Sequence, residues 1–148
     1  MRPVAALNDH EVFDRYPDEL IDHDNIDHYR AMAERRLVIR HCQDCGYWIY
    51  PHRPICPECL SENLRFEEVS GRGTIFMETR LHQLRDPDAS IVEPIVAAAV
   101  ELEERTGLRY LSRIVNCRIE DIVLDMPVSL TWIEEDGCIW PAFEPAAG

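Results

Sequence analysis

The sequence predicts a mainly β protein with an N-terminal helix, a small cysteine-rich module and a C-terminal five-stranded barrel. Three observations support this fold class: one segment carries apolar residues at helical spacing, two Cys-x-x-Cys pairs follow it, and strand-like runs alternate with turns after residue 70. The chain has 148 residues, 46% of them hydrophobic, which is enough to bury the core of one compact domain with a small appended module.

The first segment, residues 1–24, is acidic and has few apolar residues in any regular pattern. Pro3 and Pro17 interrupt any helix there, so we predict an extended acidic arm. Phe13, Tyr16 and Leu20 are candidate anchors for docking this arm onto a partner. An arm without fixed structure is an equal alternative.

Residues 25–37 carry the helical pattern. Asp24 or Asn25 can cap a helix, and the apolar residues that follow fall near one face. Arginines at the end of the pattern suit the negative end of the helix dipole. We therefore predict a helix over about 26–36, and a short strand over 37–40 that leads into the cysteines.

Residues 38–69 contain two Cys-x-x-Cys pairs separated by ten residues. The four cysteines are Cys42, Cys45, Cys56 and Cys59. Four thiolates at this spacing can bind one tetrahedral Zn²⁺, and a set closed by four cysteines leaves no position for a catalytic water. The sequence thus predicts a structural zinc in a rubredoxin-like ribbon, with Gly46 supplying the positive φ needed after the first pair.

Basic residues cluster around this predicted ribbon. They are Arg35, Arg36, Arg40, His41 and Arg53. Such a patch can hold a phosphate group of a small cofactor, or it can pair with the protein's own acidic arm, and the sequence favours neither. The candidate cofactor-binding residues are Arg40, Arg53 and His82, the last at the end of a predicted strand. His41 and His52 flank the cysteines and can be alternative metal ligands or partners of the ligands. Because four cysteines are already present, we predict instead that these histidines lie on the surface or pack against the two Cys-x-x-Cys turns, the knuckles.

Residues 70–148 are predicted to form a barrel. Its strands are predicted over 74–81, 95–103, 108–116, 128–133 and 139–143. A loop over 83–94 and a brief connector over 119–125 separate them. Long strands first, a tight pair last and a connector between the third and fourth match the five-stranded OB fold.

Composition excludes several functions. The formal charge of −13 argues against general binding of polyanions. All fifteen basic residues are Arg, so the chain cannot form a lysine Schiff base. It contains no nucleophile elbow, His-Glu-x-x-His, Walker sequence or full dinucleotide fingerprint. Cys117 and Cys138, outside the two pairs, are predicted to be small core residues in strands.

Localisation is predicted from two absences. No apolar run reaches the roughly 18 residues needed to span a bilayer, and the N-terminal residues lack a signal-peptide core. We therefore expect a cytoplasmic protein that does not enter a membrane.

Taken together, these motifs resemble those of a family of zinc-ribbon plus OB-fold proteins that associate with acyl-CoA enzymes. This family was formerly classed as a domain of unknown function. The resemblance spans about residues 26–144 and is carried by segments 40–46, 50–59, 69–75, 95–102, 111–115 and 141–143. The cysteine–proline core at 50–59 and the Ser-Gly-Arg-Gly-Thr stretch at 70–74 make it specific. The chain departs from the simplest members in its arm, 1–24, and in the loop at 83–94.

The resemblance implies a function as well as a fold. It implies an accessory subunit without catalytic residues, with Cys42, Cys45, Cys56 and Cys59 as zinc ligands. Such subunits assemble as hetero-oligomers with a thiolase, a thiolase-fold aldolase or an acyl-CoA hydratase, and support acyl-CoA binding or transfer. The resemblance also implies a role in steroid side-chain or other lipid catabolism. The alternatives are a single-stranded nucleic-acid-binding ribbon/OB module and a stand-alone acyl-CoA hydrolase or hydratase.

Overall fold

The computed structural model describes residues 6–82 and 94–148, and it confirms the predicted fold class. Two helices come first, α1 (Asp9–Arg15) and α2 (Ile26–Ala33), followed by the ribbon strands β1 (Val38–Cys42), β2 (Trp48–Ile49) and β3 (Leu64–Glu68). The barrel strands are β4 (Arg72–Leu81), β5 (Ile95–Leu102), β6 (Arg109–Ile114), β7 (Pro127–Glu135) and β8 (Cys138–Pro145), with a 3₁₀ turn over Ile119–Asp121. The loop predicted over 83–94 lies almost wholly outside the described residues.

The chain divides into two compact units. One comprises Met1–Ser70 with Trp132–Pro141, and the other comprises Gly71–Thr131 with Ala142–Gly148. The end of the β7–β8 hairpin therefore belongs to the first unit, whereas the rest of both strands belongs to the barrel unit. The predicted domain boundaries after residues 24, 37 and 69 stay predictions.

Helix α1 corrects the prediction of an extended arm. The side chain of Asn8 accepts a hydrogen bond from the Glu11 N–H (3.1 Å), and the Glu11 carboxylate accepts one from the Asn8 N–H (2.7 Å). This reciprocal capping box starts the helix, and Pro17 lies beyond its end. Residues 1–5, with Pro3, lie outside the described part of the chain.

Burial of α1 explains why this acidic segment is ordered. Val12 and Tyr16 are only 0% and 1% exposed, and they form one apolar cluster with Met32 of α2. The Tyr16 ring packs edge-on against Trp140 at 5.1 Å, and its hydroxyl donates to the Ile139 carbonyl at 2.9 Å. The partners are distant in sequence, so no local pattern could have revealed this cluster.

Helix α2 begins where predicted but ends earlier than residue 36. Arg35 adopts a φ of 60°, which takes the chain out of the helix. At the start, Asn25 makes no side-chain cap. Its side-chain oxygen accepts instead from the Asp22 N–H (2.8 Å), in the turn that precedes the helix. The predicted helix is therefore confirmed in place and shortened in length.

The ribbon is a three-stranded antiparallel sheet in the order β2-β1-β3. Arg40 of β1 pairs with Ile49 on one side and with Phe66 on the other. The buried residues of its small core are Cys42, Ile49 and Cys56.

The barrel is closed in the order β4-β5-β6-β8-β7. β4 pairs antiparallel with β5 and β7, β5 pairs antiparallel with β6, and β6 meets β8 in parallel at Ile114 and Phe143. Buried side chains such as Ile75, Val100 and Phe143 fill its interior.

Of the two remaining cysteines, Cys138 lies in a strand and packs against the cluster of Val12, Tyr16 and Met32, as predicted in kind, whereas Cys117 lies in no strand, contrary to the prediction. Cys117 is half-buried in a bend that follows β6, because β6 ends at Ile114 rather than at residue 116. Cys138 is half-buried at the start of β8, where its thiol lies 2.9 Å from the Arg15 carbonyl oxygen. Among the described residues, no helix is long and apolar enough to cross a membrane.

Gly73 of β4 leaves no room for a side chain against β5. A Cβ atom at this position would lie 2.4 Å from the Glu101 carbonyl oxygen and 2.8 Å from a methyl group of Val100. We expect Gly73→Ala to lower the free energy of unfolding by about 1–3 kcal/mol, because backbone must move to admit the methyl group. Thermal or urea denaturation measures this loss.

Gly137→Ala is the control for that substitution. Gly137 has a φ of 79° but open space around it, so an added methyl group strains only the local turn. The positive φ alone makes Gly137→Ala cost about 1–2 kcal/mol without any steric clash. A loss for Gly73→Ala below about 1 kcal/mol would contradict the steric explanation.

Candidate metal centre

The four cysteine sulphurs converge at one end of the ribbon. All four Sγ atoms lie within 4.8 Å of one another, and the Cys42–Cys59 and Cys45–Cys56 Sγ pairs are each separated by 3.6 Å. A tetrahedral Zn²⁺ with Zn–S bonds of about 2.3 Å spaces its sulphurs about 3.8 Å apart. The arrangement therefore fits a closed ZnS₄ site, and the separations are far longer than a disulfide bond of about 2.05 Å.

Two matching turns present the thiols. The Gly46 N–H donates to the Cys42 carbonyl, and the Leu60 N–H donates to the Cys56 carbonyl, each at 2.9 Å. Gly46 has a φ of 76°, as the sequence predicted, and Leu60 has a φ of 63°. A leucine gives no sequence signal for this conformation, so the second turn could not be recognised in the same way.

Asp44 links the first Cys-x-x-Cys turn to residues that follow the second. Its carboxylate accepts hydrogen bonds from the Ser61 hydroxyl and from the Asn63 side chain (3.0 Å), and these bonds hold the pKa of Asp44 below its usual value. The Gln43 N–H also donates to the Asn63 carbonyl at 2.9 Å. The hydrogen bonds of Asp44 to Ser61 and Asn63 could not be predicted from the sequence, because the cysteine spacing carries no information about them.

Ionisation of one thiol in the cluster conflicts with ionisation of its neighbour, because the Cys42 thiol raises the pKa of Cys45. The backbone N–H of Cys45 contributes most to lowering the pKa of Cys42 to about 6. The N–H of Tyr47 lowers the pKa of Cys45, but desolvation and the neighbouring thiols outweigh it and raise that pKa to about 12. A divalent cation would remove this conflict, because four thiolates can share its charge.

His41 packs beside the first knuckle. Its Nδ1 lies 2.8 Å from the Glu67 carboxylate, its Nε2 lies 3.1 Å from the Gly46 carbonyl oxygen, and its ring stacks on Trp48 at 4.1 Å. These contacts agree with the predicted packing role.

His52 occupies a buried aromatic setting in the same unit. Its ring lies 4.7 Å from the His28 ring and 5.1 Å from the Phe66 ring, centroid to centroid. Within residues 6–82 and 94–148, neither ring nitrogen of His52 has a hydrogen-bond partner. Burial first, and then the nearby His28 and Arg40, lower the pKa of His52 to about 3. A neutral imidazole therefore fills this space as an aromatic side chain would.

Arg40 is bound by the protein itself. Its guanidinium donates to the Asp24 carbonyl at 3.2 Å, lies 3.6 Å from the Asp24 carboxylate, and sits 5.0 Å above the Phe66 ring. Asp24 belongs to the predicted acidic arm, so this contact favours the arm-pairing hypothesis over a phosphate site at Arg40.

The other basic candidates are not gathered into one site. Arg35 pairs with Glu134, and Arg36 lies 3.3 Å from the Glu68 carboxylate. Arg53 is exposed and forms no ion pair with a described residue. His82 is exposed just after β4. Their roles in binding a cofactor stay predictions.

Two family models match most of this architecture. Residues 30–65 match the model described as "ChsH2, rubredoxin-like zinc ribbon domain", and residues 66–132 match "ChsH2, C-terminal OB-fold domain". A DUF35 domain-containing scaffold protein of Methanocaldococcus jannaschii is 36% identical over 114 residues, which cover 74% of this chain and 78% of that protein. The chain belongs to the DUF35 family. The resemblance inferred from the cysteine and glycine motifs is thus confirmed.

Further relatives bear names of enzyme subunits. A probable enoyl-CoA hydratase alpha subunit of Thermomonospora curvata is 34% identical over 131 residues, covering 88% of this DUF35 chain but only 40% of that protein. The chain thus spans less than half the length of this relative. A chain of the solved structure titled "Ltp2-ChsH2(DUF35) aldolase" superposes with a TM-score of 0.76 at 33% identity, covering 87% of this chain and 99% of that one.

A more distant structure supports the fold alone. A DUF35 protein of unknown function from Sulfolobus solfataricus is 13% identical, with a TM-score of 0.56 and coverage of 82% of this chain and 87% of its own.

Removal of one candidate ligand should unfold the ribbon. We expect Cys56→Ser to lose the metal and to lower the melting temperature sharply, because structural zinc contributes on the order of 10 kcal/mol to folding. Elemental analysis and thermal denaturation measure the two effects. Cys117→Ser is the control, since Cys117 lies outside the cluster. Equal metal content and melting temperature in both variants would contradict a structural metal site.

His52 should make stability depend on pH. Its pKa is lowered from 6.5 to about 3, so as the pH falls below 6.5 the unfolded chain takes up a proton that the folded chain does not. Stability should therefore decrease by on the order of 1 kcal/mol per pH unit from pH 6.5 downward. His52→Phe keeps the aromatic packing and should make this slope shallower in urea titrations at several pH values. Part of the slope should remain, because burial lowers the pKa of the neighbouring His28 as well. Identical slopes in both proteins would show that His52 is not the cause.

Proposed function

We propose that this chain is a non-catalytic subunit that assembles with a thiolase-superfamily enzyme or an acyl-CoA hydratase and supports acyl-CoA binding or transfer. The observation that carries the proposal is the match, at 33% identity, to nearly the whole length of a chain in the Ltp2-ChsH2(DUF35) aldolase. The scaffold name of the archaeal relatives and the hydratase-subunit name of another support an accessory role.

In this proposal the metal centre stabilises the fold and takes no part in a reaction. We propose that Cys42, Cys45, Cys56 and Cys59 hold one Zn²⁺, which crosslinks the two knuckles. A zinc enclosed by four thiolates offers no open position for substrate or water, so its contribution is folding energy rather than chemistry. The ribbon would then present a rigid surface within a larger assembly.

The proposal also includes the ligand that the assembly would bind. On the resemblance to acyl-CoA-associated proteins, we propose acyl-CoA as the ligand of the assembly and lipid catabolism, including steroid side chains, as its setting. Arg53 and His82 remain available for a CoA phosphate, because both are exposed. Arg40 is a poorer candidate, since Asp24 already occupies its guanidinium.

The nucleic-acid alternative gains no support. Binding of single strands requires clustered cations along the backbone path. The chain carries a charge of −13, and Arg35, Arg36 and Arg40 contact the protein's own carboxylates.

Co-expression tests the proposed assembly. This chain and a thiolase-like protein encoded by a neighbouring gene should elute together in size-exclusion chromatography, and the partner's activity on CoA thioesters should change when this chain is present. The isolated chain should not turn over CoA thioesters. Separate elution with unchanged partner activity would contradict the proposal, as would turnover of a CoA thioester by the isolated chain.

A further inference from the structure

The second Cys-x-x-Cys turn exposes apolar side chains. Leu60 is 75% exposed and Ile55 is 41% exposed. The two prolines on either side of Ile55 and Cys56 are exposed as well. Exposed apolar residues grouped in this way mark a binding surface more often than single ones do. We call this surface the knuckle tip and define it by Pro54, Ile55, Pro57 and Leu60.

Leu60 holds a backbone conformation that favours glycine. Its φ is 63°, and Gly46 has a φ of 76° at the equivalent position of the first knuckle. The two positions are equivalent because each N–H donates to the carbonyl of the first cysteine of its pair, at 2.9 Å. An L side chain is strained in this region, so leucine costs stability where glycine would not. Among the described residues with a positive φ, Leu60 carries the one apolar side chain.

Packing within the chain does little to offset this strain. A side chain that is 75% exposed gains little from apolar burial. Leu60 is not among the residues that pack against the cluster of Cys42, Ile49 and Cys56. Strained backbone persists mainly at functional sites. We therefore look for the role of the Leu60 side chain in a contact outside this chain.

The loop that presents Leu60 is rigid. The Cys56 N–H donates to the Ser61 carbonyl at 2.9 Å, which closes the loop, and the Ser61 hydroxyl donates to the Asp44 carboxylate. Pro57 fixes its own φ within the loop. A rigid loop loses little conformational entropy when it binds, so its apolar side chains can contribute most of their burial to affinity.

Carboxylates lie beside the knuckle tip. Glu58 lies between the two cysteines of the loop and Glu62 follows the loop; both are exposed, and neither forms an ion pair with another described residue. The Asp44 carboxylate adds a third negative charge, because its hydrogen bonds hold its pKa below the usual value. Arg53 is the one arginine between residues 51 and 62. The surroundings of the tip are therefore negative on balance.

We propose that the knuckle tip docks into an apolar pocket of the thiolase-superfamily partner, and that cationic side chains surround this pocket. The inference rests on the proposed function and adds the residues through which this chain contacts the partner. Leu60 would supply the central apolar contact. Glu58 and Glu62 would face the cations, because complementary charges at the edge of an interface favour the correct partner.

A second copy of this chain is a poorer occupant. In a twofold contact the same patch meets itself, so Glu58 and Glu62 of one copy would approach those of the other. Such a contact brings like charges together as the apolar surface is buried.

Leu60→Asn distinguishes a contact with the partner from a role in folding. Asparagine tolerates a positive φ better than leucine does, and it removes the apolar side chain. In the full chain with its metal, we expect an unchanged or higher melting temperature. Affinity for the thiolase-like protein encoded by the neighbouring gene should fall at least tenfold, as measured by titration calorimetry.

Leu124→Asn is the matched control. Leu124 is 59% exposed and belongs to the other compact unit, so the same substitution there removes an exposed leucine outside the knuckle tip. We expect this variant to bind the probe as the unchanged chain does. An equal loss of affinity in both variants would contradict a specific role for Leu60.

A double substitution tests the charges beside the tip. Affinity of the unchanged chain should fall as sodium chloride is added, because salt screens the attraction between carboxylates and cations. The variant with Glu58→Gln and Glu62→Gln should bind more weakly at low salt and lose most of this salt dependence. An equal salt dependence in both proteins would overturn the cationic surround of the pocket.

The results separate the inference from the proposed function. If the unchanged chain binds the probe and Leu60→Asn binds equally well, the knuckle tip is wrong and the accessory role stands. If the unchanged chain does not bind, both proposals fail. Loss of metal and a lower melting temperature in Leu60→Asn would show a role in folding and overturn the inference. Self-association that Leu60→Asn abolishes would assign the tip to a second copy and also overturn it.

Discussion

The convergence of four thiols is the constraint on which the ribbon depends. Three buried residues form the cluster at the cysteines, and two of them, Cys42 and Cys56, are candidate metal ligands, whereas Ile49 is an ordinary apolar residue. Such a core buries too little apolar surface to fold alone. The turns at both knuckles and the bonds of Asp44 make sense as parts of one cluster, because each orients sulphur atoms toward a shared point.

The sequence revealed features that depend on spacing and missed those that depend on distant contacts. The cysteine pairs, Gly46 and the order of the barrel strands follow local rules, and the structure agrees with them. Helix α1 was missed although Asn8 and Glu11 form a capping box, because two prolines and many acids outweighed that signal. The burial of Tyr16 and of His52 comes from partners far along the chain, which single-sequence patterns cannot supply.

The barrel shows how one register irregularity changes a surface. Strict alternation along β4 would turn Phe76 and Met77 to opposite faces of the sheet, so the sequence pattern alone would place one of them in the core. Both are exposed, and they flank the small residues of β5. One irregular position in β4 thus changes which side chains the barrel exposes.

The central claim is that a zinc-crosslinked chain forms part of a larger enzyme. Native mass spectrometry of this chain co-purified with the proposed thiolase-like partner tests it most directly, because one spectrum reports both metal and assembly. The account predicts a hetero-oligomer whose mass includes one zinc ion for every copy of this chain. Two separate species, or a hetero-oligomer that forms equally well without zinc, would contradict it.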